Sequence, residues 1–305
     1  MSQPPEPLAH VLVATDFSPV AEHALARAGR LPIAPNGSVM VVHALAEGVP
    51  ATLRAQVEDF ARQRLRRAQA TLIDQLAASG RPGIAVSVAL LGGGACPEIA
   101  RCAAENRADL IVLGRQGKTP LQALLIGSTA EGVYRAVEVP TLIVARPARG
   151  AYQRPLIAVA LDGAGAELAL RARRVFGSGV RRKRLLHAYR VPVPGLLPWA
   201  RASRVLTPLR KHYRELAAAG VAELGSSLEA IEARWEPTIV RGDPRHAIVV
   251  EAMHGGSDLI VVGRHARSRL AEAWVGNVAD AVVRAAARDV LVVPLADPPA
   301  ESVFR

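Results

Sequence analysis

A chain of 305 residues, half of them apolar and 21% charged, has the composition of a soluble globular protein and room for two domains of ordinary size. No apolar run approaches the roughly 18–20 residues that cross a bilayer, MSQPPEPLAH lacks the features of a secretory signal, and two cysteines give no disulfide framework; the expected location is a reducing cytoplasm, with no membrane. The net charge of +11 invites an anionic partner, but only 4% of residues are aromatic, so base stacking has little to work with and nucleic acid is disfavoured.

In chain order, short β-branched runs alternate with amphipathic stretches. Strands are predicted near 10–15, 38–44, 84–91, 109–114 and 140–145, and helices near 18–31, 51–79, 97–106 and 128–137. Such alternation, with strands apolar on both faces, predicts a doubly wound α/β sheet with helices on both sides. The pattern is then written a second time. HVLVATD (His10 to Asp16) returns as PLIAVALD (Pro155 to Asp162), and VMVVHAL (Val39 to Leu45) as RLLHAYR (Arg184 to Arg190). ADLIVLGRQG (Ala108 to Gly117) returns as SDLIVVGRHA (Ser257 to Ala266), and VPTLIVARP (Val139 to Pro147) as DVLVVPLADP (Asp289 to Pro298). The offset stays between 144 and 149 residues, as tandem duplication would give. The break falls in ARPARGAYQRP, Ala145 to Pro155, so two domains are expected, 1–149 and 150–305. RARRVFGSGVRRKR, Arg171 to Arg184, holds seven basic residues and no acidic one. It reads first as a solvated helix end and loop, and second as an anion-facing surface.

In a doubly wound sheet the ligand sits at the carboxyl ends of the strands, which here are Asp16, Ala44 and Gly114. The stretch GRQGKTPLQALLIGST, Gly114 to Thr129, ends strand four and leads to a helix start. Gly117-Lys118-Thr119 looks like the tail of a Walker A loop, yet five positions earlier that loop needs a glycine and here stands Val112, inside a buried strand. What remains is Gly114, Gly117, Gly127 and Ser128. Glycines let the backbone approach a phosphate, and a helix N-terminus favours the anion through its free N–H groups and dipole. Ser128 with Glu131 has capping-box spacing. The plainer reading makes Gly114 a strand end, Ser128 a helix cap and Asp16 a loop acid bonded to local backbone.

Taken together, Gly114-x2-Gly117-x9-Gly127-Ser128, VATDFSP, VVHA and ADLIVLG resemble the ATP-binding pattern of the universal stress protein family in its tandem form, over nearly the whole chain outside the tails. The resemblance implies an adenine nucleotide alpha hydrolase-like fold, with a five-stranded parallel sheet of order 3-2-1-4-5 in each half. It implies that Asp16, with Ala14 and Thr15, approaches ribose or adenine, and that Ala44 meets adenine through its backbone. Leu113, Gly114, Gln116 and Gly117 would line the ribose and phosphates. Gly127, Ser128 and Thr129 would donate to the phosphates, with Mg2+ or Mn2+ bridging phosphate oxygens and no protein metal ligand. In the second half Asp162, Gly263 and Gly276 stand, but Ala266 replaces Gly117 and Asn277 replaces Ser128. That site is expected to be weakened or lost.

Cys96 and Cys102 read as packing residues. His43 and His187, at equivalent strand ends, read as sharing a structural hydrogen bond; His212, His246, His254 and His265 show no ligand spacing. The expectation is an ATP-binding regulatory stress protein in which the nucleotide is a conformational ligand and hydrolysis, if any, is slow for want of a general base. The rivals are a nucleotide-independent interaction module and a slow ATP hydrolase. The fifth strands are expected to pair the halves within the chain. Whether the chain is a monomer or dimerises further is left open.

Overall fold

The computed structural model describes residues 7–115, 126–177, 179–180, 182–192, 199–229, 235–265 and 278–296. Val11–Ala14, Leu110–Leu113 and Leu142–Val144 are buried without alternation, so both faces of the sheet must be covered by helices. The first half runs β1 (Leu8–Ala14), α1 (Pro19–Ala28), β2 (Ile33–Leu45), α2 (Ala51–Ala78), β3 (Ala85–Gly92), α3 (Ala95–Glu105), β4 (Leu110–Gly114), α4 (Ser128–Ala136) and β5 (Thr141–Val144). The second runs β6 (Pro155–Ala158), α5 (Gly165–Phe176), β7 (Arg184–Tyr189), α6 (Trp199–Glu229), β8 (Glu236–Arg241), α7 (Pro244–His254), β9 (Leu259–His265), α8 (Val278–Ala285) and β10 (Asp289–Leu295).

The strands form one ten-stranded sheet of order β3-β2-β1-β4-β5-β10-β9-β6-β7-β8. Within each half the order is 3-2-1-4-5 and every pairing is parallel; β5 and β10 join antiparallel. Two apolar clusters cover the two faces, one including Val11, Val13 and Val112 and the other Leu12, Ile111 and Ile143. The long helix α2 contributes to its cluster through a single stripe, Ala61, Leu65, Leu72 and Leu76, at helical spacing.

β2 starts earlier than its apolar run predicts. That run predicts a strand near 38–44, but Ile33 already pairs with Leu8 and the register shifts between Leu8 and His10. A Cβ on Gly37 would lie 2.7 Å from the Ala9 carbonyl oxygen, so this irregularity requires the glycine.

The first residues of β1 and β6 are held in the same way. The Asp109 carboxylate accepts from the N–H groups of Ala9 (2.7 Å) and His10 (2.9 Å), and Asp258 from those of Gln153 (2.7 Å) and Arg154 (2.9 Å). The β5–β10 seam has a local twofold at Leu142, opposite Leu291. Around it contacts come in reciprocal pairs. Glu131 meets Arg284 while Asp280 meets Arg135 at 2.5 Å; Arg115 donates to the Ala286 carbonyl at 2.5 Å and Arg264 to that of Val137 at 2.6 Å.

The basic run from Arg171 to Arg184 is largely neutralised. Arg171 meets Glu167 at 2.8 Å, Arg174 meets Asp109 at 2.9 Å, Arg182 meets Glu236 at 2.5 Å and Arg184 meets Glu251 at 3.0 Å. Lys183 lies over the Trp235 ring. Arg173, Lys183 and Arg184 are buried, so this part of the run is held by local partners rather than laid out as a solvated face.

Candidate functional site

Strands β1, β2 and β4 end side by side, and the chain leaves each in a different way. After Ala14 the ladder continues for one more bond, from the Thr15 N–H to the Val42 carbonyl (2.9 Å). The Thr15 hydroxyl then accepts from the Phe17 N–H (3.0 Å) and the Asp16 carboxylate from the Ser18 N–H (2.9 Å). These bonds hold Phe17 at φ 62°, a left-handed conformation unusual for a bulky residue. Ser18 caps α1 by accepting from the Ala21 N–H at 3.2 Å, with Pro19 at the first helical position. Asp16 is thus bonded to local backbone, as the plainer reading held, while its carboxylate also lines a cavity.

That cavity, about 180 Å3, is lined at one side by Ala14, Thr15 and Asp16, at another by His43 and Ala44, and at a third by Leu113 and Gly114. Gly127, Ser128 and Thr129 close it. Four separated segments selected from the sequence therefore converge. Gln116 and Gly117 lie outside the described residues, as do Lys118 and Thr119. Gly114 is needed for packing: a Cβ there would sit 3.1 Å from the Val20 backbone and 3.2 Å from the Ala21 nitrogen. A side chain there would press α1 away from the end of β4.

The helix start differs from the expected capping box. Gly127, not Ser128, is the N-cap of α4, and no side chain caps it. Ser128 is the first helical residue, and Glu131 is turned away into ion pairs with Arg135 and Arg284. The physical reason is the seam, whose opposite charges outcompete a backbone N–H for the carboxylate. The consequence is a helix whose first N–H groups face the cavity without a side-chain partner.

A second uncapped start was not anticipated from the sequence. α3 begins at Ala95 behind Gly94, again with no side-chain cap, and Ala95 and Ile99 line the same cavity. The signal was available in Gly92-Gly93-Gly94, where Gly93 has φ 116°. Two helix dipoles thus point positive ends toward one space. His43 lines it too, its Nδ1 2.7 Å from the Thr15 carbonyl and its ring 4.3 Å from that of Phe17. His187 makes the matching contact with the Val159 carbonyl at 2.9 Å, so both histidines have the structural role expected. Cys96 and Cys102 also pack: a Cβ on Gly132 would meet Cys96 Sγ at 2.9 Å, Cys102 Sγ lies 3.7 Å from Met40 Sδ, and burial pushes both thiols above their ordinary pKa.

The second half has a cavity in the equivalent place, lined by Asp162, His187, Gly263 and His265 among mostly apolar residues. Its chemistry is different. Asp162 accepts from the Ala164 N–H at 3.1 Å and lies 3.3 Å from His265 Nε2, while His265 Nδ1 sits 2.9 Å from the Ala296 carbonyl. His265 stands where the first half has Gln116. Helix α7, the twin of α3, is capped by Asp243, which accepts from the Arg245 N–H at 3.0 Å. The Arg245 guanidinium, backed by its N–H and by Arg190, holds the Asp243 carboxyl well below the usual carboxylate range despite an opposing desolvation. Asp243, paired with Arg190 at 2.5 Å and Arg245 at 2.7 Å, therefore fills the helix end that in the first half has no side-chain cap. Ala266, Gly276 and Asn277 lie outside the described residues.

A family model, the universal stress protein family, matches residues 8–145 and again 154–294. A universal stress protein of Thermus aquaticus is 33% identical over 135 residues, which are 44% of this chain and 96% of that one. One from Methanocaldococcus jannaschii is 40% identical over 65 residues, 21% of this chain and 38% of its own length. Among solved structures, a universal stress protein from Archaeoglobus fulgidus covers 93% of this chain, and 98% of itself is covered, at 14% identity and a TM-score of 0.65; it shares the fold.

Proposed function

Because the chain belongs to the universal stress protein family, with the family's unit repeated in tandem, we propose that its first half binds an adenine nucleotide, ATP, and that the protein is a nucleotide-responsive regulator. The observation that carries this reading is the convergence on one cavity of Asp16, Ala44, Gly114 and Gly127–Thr129 beneath two helix starts with no side-chain cap.

The phosphates fit the starts of α3 and α4, where free N–H groups and dipoles favour an anion. The Ser128 and Thr129 hydroxyls add donors, and Gly117 would let the backbone close over them. Asp16 and the Ala44 backbone would hold ribose and adenine, beside the apolar floor of Val42 and Leu113. A divalent cation would ride on the phosphate oxygens, screening their charge; among the described residues no group of three or more His, Cys, Asp or Glu is placed to hold a metal.

Hydrolysis in this site would be slow. Asp16, the acid beside the cavity, is engaged by the Ser18 N–H and His43 by the Thr15 carbonyl, so neither is arranged, among the described residues, as a free base to activate water. Nucleotide would instead stabilise one arrangement of the loop after β4 by mass action. In the second half, the capped α7 and the paired Asp162 remove the features a phosphate needs, so one nucleotide per chain is expected.

The test is to denature freshly purified protein, identify any released nucleotide, and titrate ATP into wild type, Gly117→Val and Ser128→Ala. Either substitution should weaken binding at least about tenfold, equivalent to ~1.4 kcal/mol. If neither does, the site assignment is wrong. Turnover that depends on Asp16 or Ser128 would move the reading to a hydrolase. A chain that neither carries nor binds nucleotide would be an interaction module.

A further inference from the structure

The linker between the halves lines a second polar cavity, about 630 Å3, at the strand ends in the middle of the sheet, where β5 ends and β9 and β10 begin. Its walls carry five guanidiniums, from Arg27, Arg146, Arg149, Arg154 and Arg288, against the two carboxylates of Asp258 and Asp289. Both carboxylates are already engaged. Asp258 accepts the N–H groups of Gln153 and Arg154. Asp289 accepts those of Ala145 (2.9 Å) and Arg146 (3.3 Å), takes the Tyr152 hydroxyl at 2.6 Å, and pairs with Arg27 Nε at 3.2 Å. Arg27 has a further partner in the Gly150 carbonyl, at 2.6 Å. The excess positive charge therefore falls on Arg146, Arg149, Arg154 and Arg288.

Three buried atoms in this wall have no hydrogen-bond partner among the described residues, and of these Arg27 Nε at least lies in an ion pair with Asp289, which leaves two. One is Oγ of Ser257, whose residue is 1% exposed; the other is Nε of Arg288. A buried hydroxyl or guanidinium N–H left unpaired keeps its desolvation cost uncompensated, and crowding like charges adds to that. Burial, followed by repulsion from Arg146 and Arg154, pushes the Arg288 guanidinium below its usual pKa. A ligand that accepts hydrogen bonds and carries negative charge would answer both defects at once.

We propose that this seam cavity is a binding site for a small multivalent anion of the phosphate type, held by Arg146, Arg149, Arg154 and Arg288 and by the Ser257 hydroxyl. Guanidiniums match phosphate oxygens in pairs, and a hydroxyl donor at the floor fixes one of them. The wall includes the linker itself and the start of β10, so the bound anion would tie the two halves together beside the Asp289 clasp. This site is separate from the first-half cavity and does not depend on what that cavity binds.

Calorimetric titration of the full chain with pyrophosphate tests this. The expected result is saturable binding that weakens with added salt and raises the melting temperature. Arg149→Gln with Arg154→Gln, two exposed positions, should cut affinity at least tenfold while leaving the ligand-free melting temperature unchanged. Ser257→Ala should cut it several-fold. Titrating ATP into Ser128→Ala asks whether nucleotide phosphates also reach the seam, in which case that binding is lost in the arginine variant. The proposal is overturned if pyrophosphate does not bind, if the arginine variant binds it as wild type does, or if only an oligodeoxynucleotide binds.

Discussion

The two halves share a backbone plan and differ at its ligand-facing end. Each has the 3-2-1-4-5 strand order, a carboxylate gripping the first strand at its start, and a histidine bonded to a carbonyl at that strand's end. They differ where α3 and α7 begin, at Gly94 and Asp243, and where the loop after the fourth strand meets the first-strand acid, at Gln116 and His265. The fold depends on apolar runs and on groups at the amino ends of the strands; the site depends on a few residues at the carboxyl ends. Duplication therefore allows one copy to lose phosphate chemistry while both keep the sheet. The copies meet at the seam, where the local twofold relates Glu131–Arg284 to Asp280–Arg135 but gives Asp289 no twin, because Pro140 stands at the related position.

That asymmetry predicts the largest effect. Asp289→Ala strands Arg27, which is 6% exposed, and frees the Tyr152 hydroxyl and two linker N–H groups. Breaking one side of a buried pair costs about 3–5 kcal/mol, and denaturant unfolding should show a loss of that size. Conservative replacement by Asn should recover part of it. The next effect contrasts two glycines at related positions. A Cβ at Gly114 meets the Val20 and Ala21 backbone, whereas at Gly263 it meets the tip of Leu295 at 2.4 Å. Backbone cannot step aside as a methyl can, so Gly114→Ala should cost about 1–3 kcal/mol and Gly263→Ala less than about 1 kcal/mol. Equal losses in thermal or denaturant melts would show that the two crossings are equally rigid.

Much of this was legible in the sequence because it was carried by local pattern. Unbroken apolar runs located strands β1, β4 and β5, the offset located the repeat, and of the stretch from Gly114 to Thr129 the fold gathers Gly114, Gly127, Ser128 and Thr129 into one cavity. The misses share a cause, which is that the deciding partner is distant in the chain. Glu131 looked like a capping residue until α8 brought Arg284 to it. His265 had no ligand spacing because its partner, Asp162, lies on another strand end. Asp109 and Asp258 were visible only as letters of the repeat, since their role is to accept N–H groups about a hundred residues earlier. The three linker arginines looked like boundary composition, and only folding places Arg288 and Ser257 opposite them.

If a handful of residues separates the halves, they can be exchanged. The variant Asp243→Gly, His265→Gln, Ala266→Gly, Asn277→Ser removes the α7 cap, releases Asp162 and restores the glycine and hydroxyl of the first-half pattern. Its expected outcome is a second equivalent of ATP per chain by equilibrium dialysis, with second-site affinity raised at least about tenfold, or ~1.4 kcal/mol. A stoichiometry that stays at one would mean that the difference resides in the larger, apolar lining of the second cavity rather than in these four side chains.

The smallest expected effect is a pH dependence that distinguishes the two strand-start carboxylates. Asp109 feels an upward push from burial, but the N–H groups of His10 and Ala9 together with Arg174 outweigh it, and its carboxyl ends below the ordinary value. A depressed folded-state pKa favours the folded state fully above the unfolded carboxyl pKa of about 3.9, and that contribution is lost as pH falls through the folded value. Arg174 comes from α5 of the other half, and Asp258 has no equivalent ion pair among the described residues. Asp109→Asn should therefore flatten the fall in melting temperature below about pH 4, and Arg174→Gln should do so by a smaller amount. If Asp109→Asn leaves the acid limb unchanged, the charge is not what grips β1, and the two N–H bonds alone would explain why the acid is there.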